Sequence, residues 1–229
     1  MHEARKTNDI RGSAFIDKYL KGKVIDIGAG PDLVCPWAER FDLEDGDANV
    51  IAKYRPANSY DAVHSSHCLE HMHNPEAALA EWWSLLKPGG YFITVVPDED
   101  LYEQGLWPSI FNTDHKSTFR LNKATSWSPV SFDIKELIGR LPNGEIISAG
   151  VQDRGYDYSL QHKFGDKYRK IKGLPRIHRA CDKIPKLGYY LWPIIQRLAF
   201  IYGIRIDQTM GNAMAQIQVV ARKRPDRQT

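Results

Sequence analysis

The stretch VIDIGAGPD, residues 24–32, most constrains what this chain can fold into. It reads as a buried strand that breaks into glycines, Gly28 and Gly30, just past its single carboxylate, Asp26. Glycine there permits positive φ and lets a ligand approach with no Cβ in the way. Downstream, strand and helix patterns alternate. AERFD and YDAVHSS read as strands, and NPEAALAEWWSLLKPGG reads as a helix with Asn74 as N-cap, Pro75 at its first position and PGG as its stop. YFITVVP is a strand, apolar throughout as burial on both faces requires. SPVSFDIKELIGRL is a helix capped by Ser131, and GEIISAGVQD and NAMAQIQVVARK are the last strands. A further helix over residues 9–20 precedes the first strand. This alternation specifies an α/β fold with an open, mainly parallel sheet, whose ligand lies beyond the carboxyl end of the first strand.

The first crossover is short. Only eleven residues separate Gly30 from Asp42, and Pro31 and Pro36 are among them, so a full crossover helix does not fit. A lone G-x-G is as often only a tight turn, but the short crossover bears on two rival ligands. A dinucleotide site wants G-x-G-x-x-G and a pyrophosphate at a helix N-terminus, but Leu33 holds the third place and the helix is curtailed. S-adenosylmethionine carries no phosphate. It needs one acid near its ammonium group, another on its ribose and bare backbone between them, and Asp26 and Asp42 are placed to supply those acids.

With FDLEDGDA, SSHCLEHM, LKPGG and VPDED following in order, the chain resembles the class I S-adenosylmethionine-dependent methyltransferases. The likeness is to small bacterial, type 11-like members associated with surface-polysaccharide clusters. It covers residues 22–152 and 207–222 and implies a Rossmann-like, seven-stranded-type sheet. By position it implies that Asp26, Gly28, Ala29 and Gly30 line the methionine and ribose side, and that Asp47 and Ala48 border adenine. Ser65, Ser66 and His67 would lie under the sulfonium. Asp42 or Asp45 would hold the ribose hydroxyls, since the helix that usually parts this acid from GDA is missing. The resemblance leaves residues 153–206 unexplained, so the expected organisation is a donor-binding domain, 1–152 with 207–222, and an insertion, 153–206, acting as lid, substrate or dimer element.

Methyl transfer is an in-line displacement, so holding donor and acceptor in line does much of the work. A hydroxyl acceptor also gains from a positioned base. His115 in FNTDHKSTF, with Asp114 in the network around it, and His67 at the strand end are the candidate catalytic groups; His64 should point into packing. Asp98, Glu99 and Tyr102 of PDEDLYEQG, together with His71 of the LEH motif, are candidate substrate ligands. No local ligand loop for a hard cation is recognisable, so a metal-independent enzyme is expected.

At 229 residues the chain buries a full core without staples. Cys35, Cys68 and Cys181 are odd in number and lack metal-ligand spacing, and the polar N-terminus has no secretory core, so a cytoplasmic protein is expected. Net charge is only +3, but residues 163–205 carry eleven Lys or Arg against two acids. The apolar run LGYYLWPIIQRLAFIYGIRI after the basic part is interrupted by Pro193, Arg197 and Arg205, which argues against a membrane span. The expected activity is O-methylation of a sugar or small polar acceptor in surface-glycan assembly. The basic, aromatic insertion suits a sugar nucleotide or a lipid-linked glycan reached by peripheral membrane contact; its apolar half alternatively covers the sheet or makes a homodimer. An RNA or protein methyltransferase, or a non-catalytic donor-binding module, are the other readings.

Overall fold

The computed structural model describes residues 3–169 and 185–225. Among these, six strands form the main sheet in the order β2-β1-β3-β4-β8-β7. They are β1 (Val24–Ile27), β2 (Glu39–Phe41), β3 (Tyr60–Ser66), β4 (Leu86–Pro97), β7 (Gly144–Gln152) and β8 (Gln216–Lys223). All neighbours are parallel except those of β8, which runs antiparallel to both β4 and β7. β5 (Thr118–Arg120) and β6 (Ser131–Asp133) make a small parallel pair of their own. The main sheet thus has six strands, not seven, among the described residues, and it ends at β2.

The first crossover is shorter than expected: residues 28–38 hold no helix at all. Val34 and Cys35 turn inward instead, against Leu20 and Val24. They share that cluster with α1 (Glu3–Tyr19), which bends at Gly12 through φ 66° and so starts six residues before the expected helix. The opposite face is covered by α2 (Pro75–Ser84), which buries Trp82 and Trp83 against β4 and its neighbours. Asn74 caps α2 through the Ala77 amide at 3.1 Å, as its sequence predicts.

Two boundaries differ from the sequence reading. α2 stops at Ser84, because Leu86 already pairs with Tyr60 and Lys87 to Gly90 bulge out of β4 before Tyr91 pairs with Ala62. Ser131 is not a cap: it lies in β6, and Asp133 caps α3 (Ile134–Gly139) by accepting the Lys135 and Glu136 amides.

The insertion lies against the loop after β4. Arg205 is buried, and its guanidinium donates to the carbonyls of Gln104, Lys163, Asp166 and Lys167. Residues 170–184, with five of the basic side chains and Cys181, lie outside the described residues. α4 (Pro185–Ile201) carries Pro193 in its interior, and no helix among the described residues is long and apolar enough to cross a membrane. Leu191, Ile194, Leu198 and Ile201 of α4 are exposed, so this face of the apolar run does not cover the sheet.

Candidate active site

Gly28 and Gly30 are glycine for different reasons. Gly28 (φ 74°) donates its amide to Phe41 O at 2.8 Å, and a Cβ there would stand 2.6 Å from Cys68 Cβ. The first glycine therefore lets the turn pack onto the segment after β3. Gly30 (φ 55°) has nothing within 4 Å of where its Cβ would be. Its amide is held at 2.8 Å by Asp42 Oδ2, while Asp42 Oδ1 accepts the Leu43 amide at 2.8 Å. Asp45 accepts the Asp42 amide and closes the following turn.

Asp26 faces inward. It is 1% exposed; Oδ2 accepts the Val34 amide at 2.6 Å, and Oδ1 lies 2.6 Å from His64 Nδ1. Burial pushes the His64 pKa down against the opposing pull of Asp26. The neutral ring then donates from Nδ1 to Asp26 and accepts at Nε2 from Arg11, 3.1 Å away. Asp26 thus shapes the turn from beneath, and His64 points into packing as its strand position predicts.

The turn opens onto a cavity of about 230 Å³. Gly28 to Asp32, Ser66 and His67 form one wall, and Glu70, His71, Tyr102, Asn112, His115 and Thr209 form the other. The expected donor ligands Asp26, Asp42, Asp47, Ala48 and Ser65 lie outside this lining. Ser65 is buried because β3 lies between β1 and β4 and is covered on both faces, and Asp47 caps the turn Ala48–Lys53 through Asn49.

The far wall gathers Glu70, His71 and His115. Glu70, in the short helical turn Leu69–His71, is 1% exposed, and neither carboxylate oxygen accepts a hydrogen bond. His67 Nδ1 stands 3.4 Å and His115 Nε2 4.0 Å from its Oε1. Burial raises the Glu70 pKa, but the His67 ring, first through the approach of its Nδ1 and then through its charge, offsets that together with the charges of His115 and His71 and holds it below the usual carboxylate range. His115 Nδ1 is anchored by buried Glu103 at 2.7 Å. Asp114 does not orient His115; it is exposed and binds His71 Nδ1 at 2.9 Å. His67, at φ 52°, presents Nε2 to Gln216 Oε1 at 2.8 Å, and the Gln216 amide group donates to Thr7 and Gln152. Sequence reasoning missed Glu70 and Glu103. Glu70 was visible within LEH; Glu103 gave no signal, because only the folded loop brings it to His115.

A family profile described as a methyltransferase domain matches residues 5–127, more than half of the chain. The chain belongs to the class I S-adenosylmethionine-dependent methyltransferases. Its fold is similar to a SAM-dependent methyltransferase from Archaeoglobus fulgidus: TM-score 0.51, 16% identity, covering 97% of this chain and 95% of that one. It is also similar to the YcgJ protein of Bacillus subtilis: TM-score 0.50, 14% identity, covering 98% and 99%. No curated protein matches by sequence. The methyltransferase cavity suits a cationic, phosphate-free donor: its lining has Asp32 and Glu70 but no lysine or arginine. Gly30 leaves open space, and the Ser66 hydroxyl, in the lining, has no hydrogen-bond partner.

Of the methyltransferase's expected acceptor ligands, Tyr102 and His71 line this cavity. Glu99 does not. It is buried, and its carboxylate is taken by Lys123 Nζ at 2.8 Å, Ser126 Oγ at 2.7 Å and the Ser131 hydroxyl, which fastens the 118–131 segment to the end of β4. Asp98 accepts the Asp100 and Leu101 amides at 2.9 and 3.0 Å and lines a second cavity of about 590 Å³. There Trp127 stacks on Phe164 of the insertion, ring centres 6.0 Å apart, beside Asp100 and Lys163.

Proposed function

We propose that this methyltransferase transfers its methyl group to a hydroxyl of a small polar acceptor, a sugar or sugar nucleotide of surface-glycan assembly. The observation that carries the reading is that the glycine turn and the imidazole-carboxylate wall face each other across one cavity. A hydroxyl is a poor nucleophile at neutral pH, so it gains most from a positioned base such as these imidazoles and carboxylates supply. The neighbouring cavity, with its stacked Trp127 and Phe164 flanked by carboxylates and Lys163, suits a ring with hydroxyls and a phosphate.

S-adenosylmethionine supplies, when bound, an electrophilic methyl on sulfonium. The residues do the rest. Gly30 and Ser66 hold the donor side, and orientation of the two reactants contributes about 7–11 kcal/mol to lowering the barrier. His67 receives the acceptor's proton: Gln216 Oε1 holds Nε2–H and so leaves the lone pair on Nδ1. Glu70, 3.4 Å from Nδ1, stabilises the imidazolium that forms. Glu103 keeps the His115 ring still, so that it positions the acceptor.

The test is calorimetric titration with S-adenosylhomocysteine, followed by assay of labelled donor against sugar nucleotides and other hydroxyl compounds. His67→Gln should leave the titration within about threefold and lower kcat by roughly 10²–10⁴. Methylation of RNA or protein in place of every small hydroxyl acceptor would overturn the acceptor class.

A further inference from the structure

We propose that Glu70, His71 and His115 bind a divalent first-row transition ion at the wall facing the donor turn. One ligand atom from each of the three lies within 4.8 Å of the other two. Glu70 is 1% exposed, and neither of its oxygens accepts a hydrogen bond. A buried carboxylate in that state calls for a cation.

The surroundings of the two histidines point the same way. His71 Nδ1 is held by Asp114 at 2.9 Å and His115 Nδ1 by Glu103 at 2.7 Å. Each carboxylate draws the ring proton to Nδ1 and leaves the lone pair on Nε2, the arrangement by which outer carboxylates orient metal-binding imidazoles. Two such rings and one carboxylate suit zinc, iron, manganese or cobalt better than magnesium or calcium, which prefer all-oxygen sets. His115 Nε2 stands 4.0 Å from Glu70 Oε1. Bonds of 2.0–2.1 Å in a tetrahedral site place ligand atoms about 3.3 Å apart, so this pair closes by about 0.7 Å and a pair at the 4.8 Å limit of the cluster by about 1.5 Å.

Three protein ligands leave positions open, and all three residues line the cavity, which gives the ion its path in. Resting on the acceptor reading above, those open positions take the acceptor's oxygens. The sequence points the other way, towards a metal-independent enzyme, because these ligands form no local loop. Glu70 and His71 are adjacent, and His115 arrives from a segment 44 residues later.

The experiment is calorimetric titration of chelator-stripped protein with Zn²⁺, and visible absorption with Co²⁺, in parallel with S-adenosylhomocysteine titration of the same samples. One ion per chain at micromolar affinity or tighter is expected. Glu70→Gln and His115→Ala should each weaken it at least tenfold, and Glu103→Gln about tenfold through loss of ring orientation. His73→Ala, at an exposed histidine, should leave it unchanged. Absence of a stoichiometric site, absence of Co²⁺ d–d bands in the unsubstituted protein, or affinity unmoved by both ligand variants would overturn the proposal; the histidines would then serve to neutralise Glu70. The S-adenosylhomocysteine titration separates this from failure of the donor site, since it reports that site with no ion present.

Discussion

A Cβ on Gly28 would lie 2.6 Å from the Cβ of Cys68, whereas one on Gly30 would meet nothing. The two alanine variants should therefore fail differently. Gly28→Ala combines left-handed backbone strain with overpacking and should cost about 2–5 kcal/mol of stability, read by urea unfolding. Gly30→Ala should cost only about 1–2 kcal/mol but weaken S-adenosylhomocysteine at least tenfold, because its methyl group enters the ligand's space. Equal stability losses with unchanged ligand affinity would contradict this division.

Asp98 gives a pH dependence of opposite sign to that of most carboxylates. Burial, with Asp100 nearby, pushes its pKa up to about 6, against the opposing Leu101 and Asp100 amides. Between about 4 and about 6 the unfolded chain ionises first, so folding stability falls as pH rises through this window and is level above it. The loss amounts to roughly 3 kcal/mol. Asp98→Asn should abolish this component, seen as the difference between the two proteins' unfolding free energies across pH 4–7.

Glu99 should prove structural. Glu99→Ala leaves Lys123, Ser126 and Ser131 without their shared acceptor and should destabilise by roughly 3–5 kcal/mol. Donor affinity should stay within about twofold. A raised KM for the acceptor with an unmoved Tm would instead make Glu99 a substrate ligand.

Arg205 ties three backbone carbonyls of the insertion, those of Lys163, Asp166 and Lys167, to that of Gln104 in the loop after β4. Arg205→Met removes all of these donors at once. Trypsin cleavage after Lys163 and Lys167, mapped by mass spectrometry, should accelerate about tenfold, corresponding to more than 1 kcal/mol of local stability.

Apolar runs made the strands legible, because β1, β3, β4 and β8 are mostly buried runs bounded by turns. The missing crossover helix could be read from the eleven residues and two prolines between Gly30 and Asp42. Boundaries that depend on partners were not legible: Leu86 joins a strand only because Tyr60 lies beside it, and Ser131 serves Glu99 instead of a helix. In the site, the glycines and His67 were legible because they follow strand ends. The partners of Asp26 were not legible, since Val34 comes from an irregular loop and His64 from the neighbouring strand β3. Glu103 was beyond reach, since nothing in the spacing of a loop says that its twelfth-removed neighbour, His115, will fold back onto it.

The loop from Gly28 to Asp42 closes on itself through one amide and one carboxylate, whereas the facing wall is gathered from the turn at 69–71, the loop at 102–115 and Thr209 behind the insertion. A substitution in any one of those three segments therefore reshapes that side of the cavity while leaving the bond that fixes the Gly30 turn untouched.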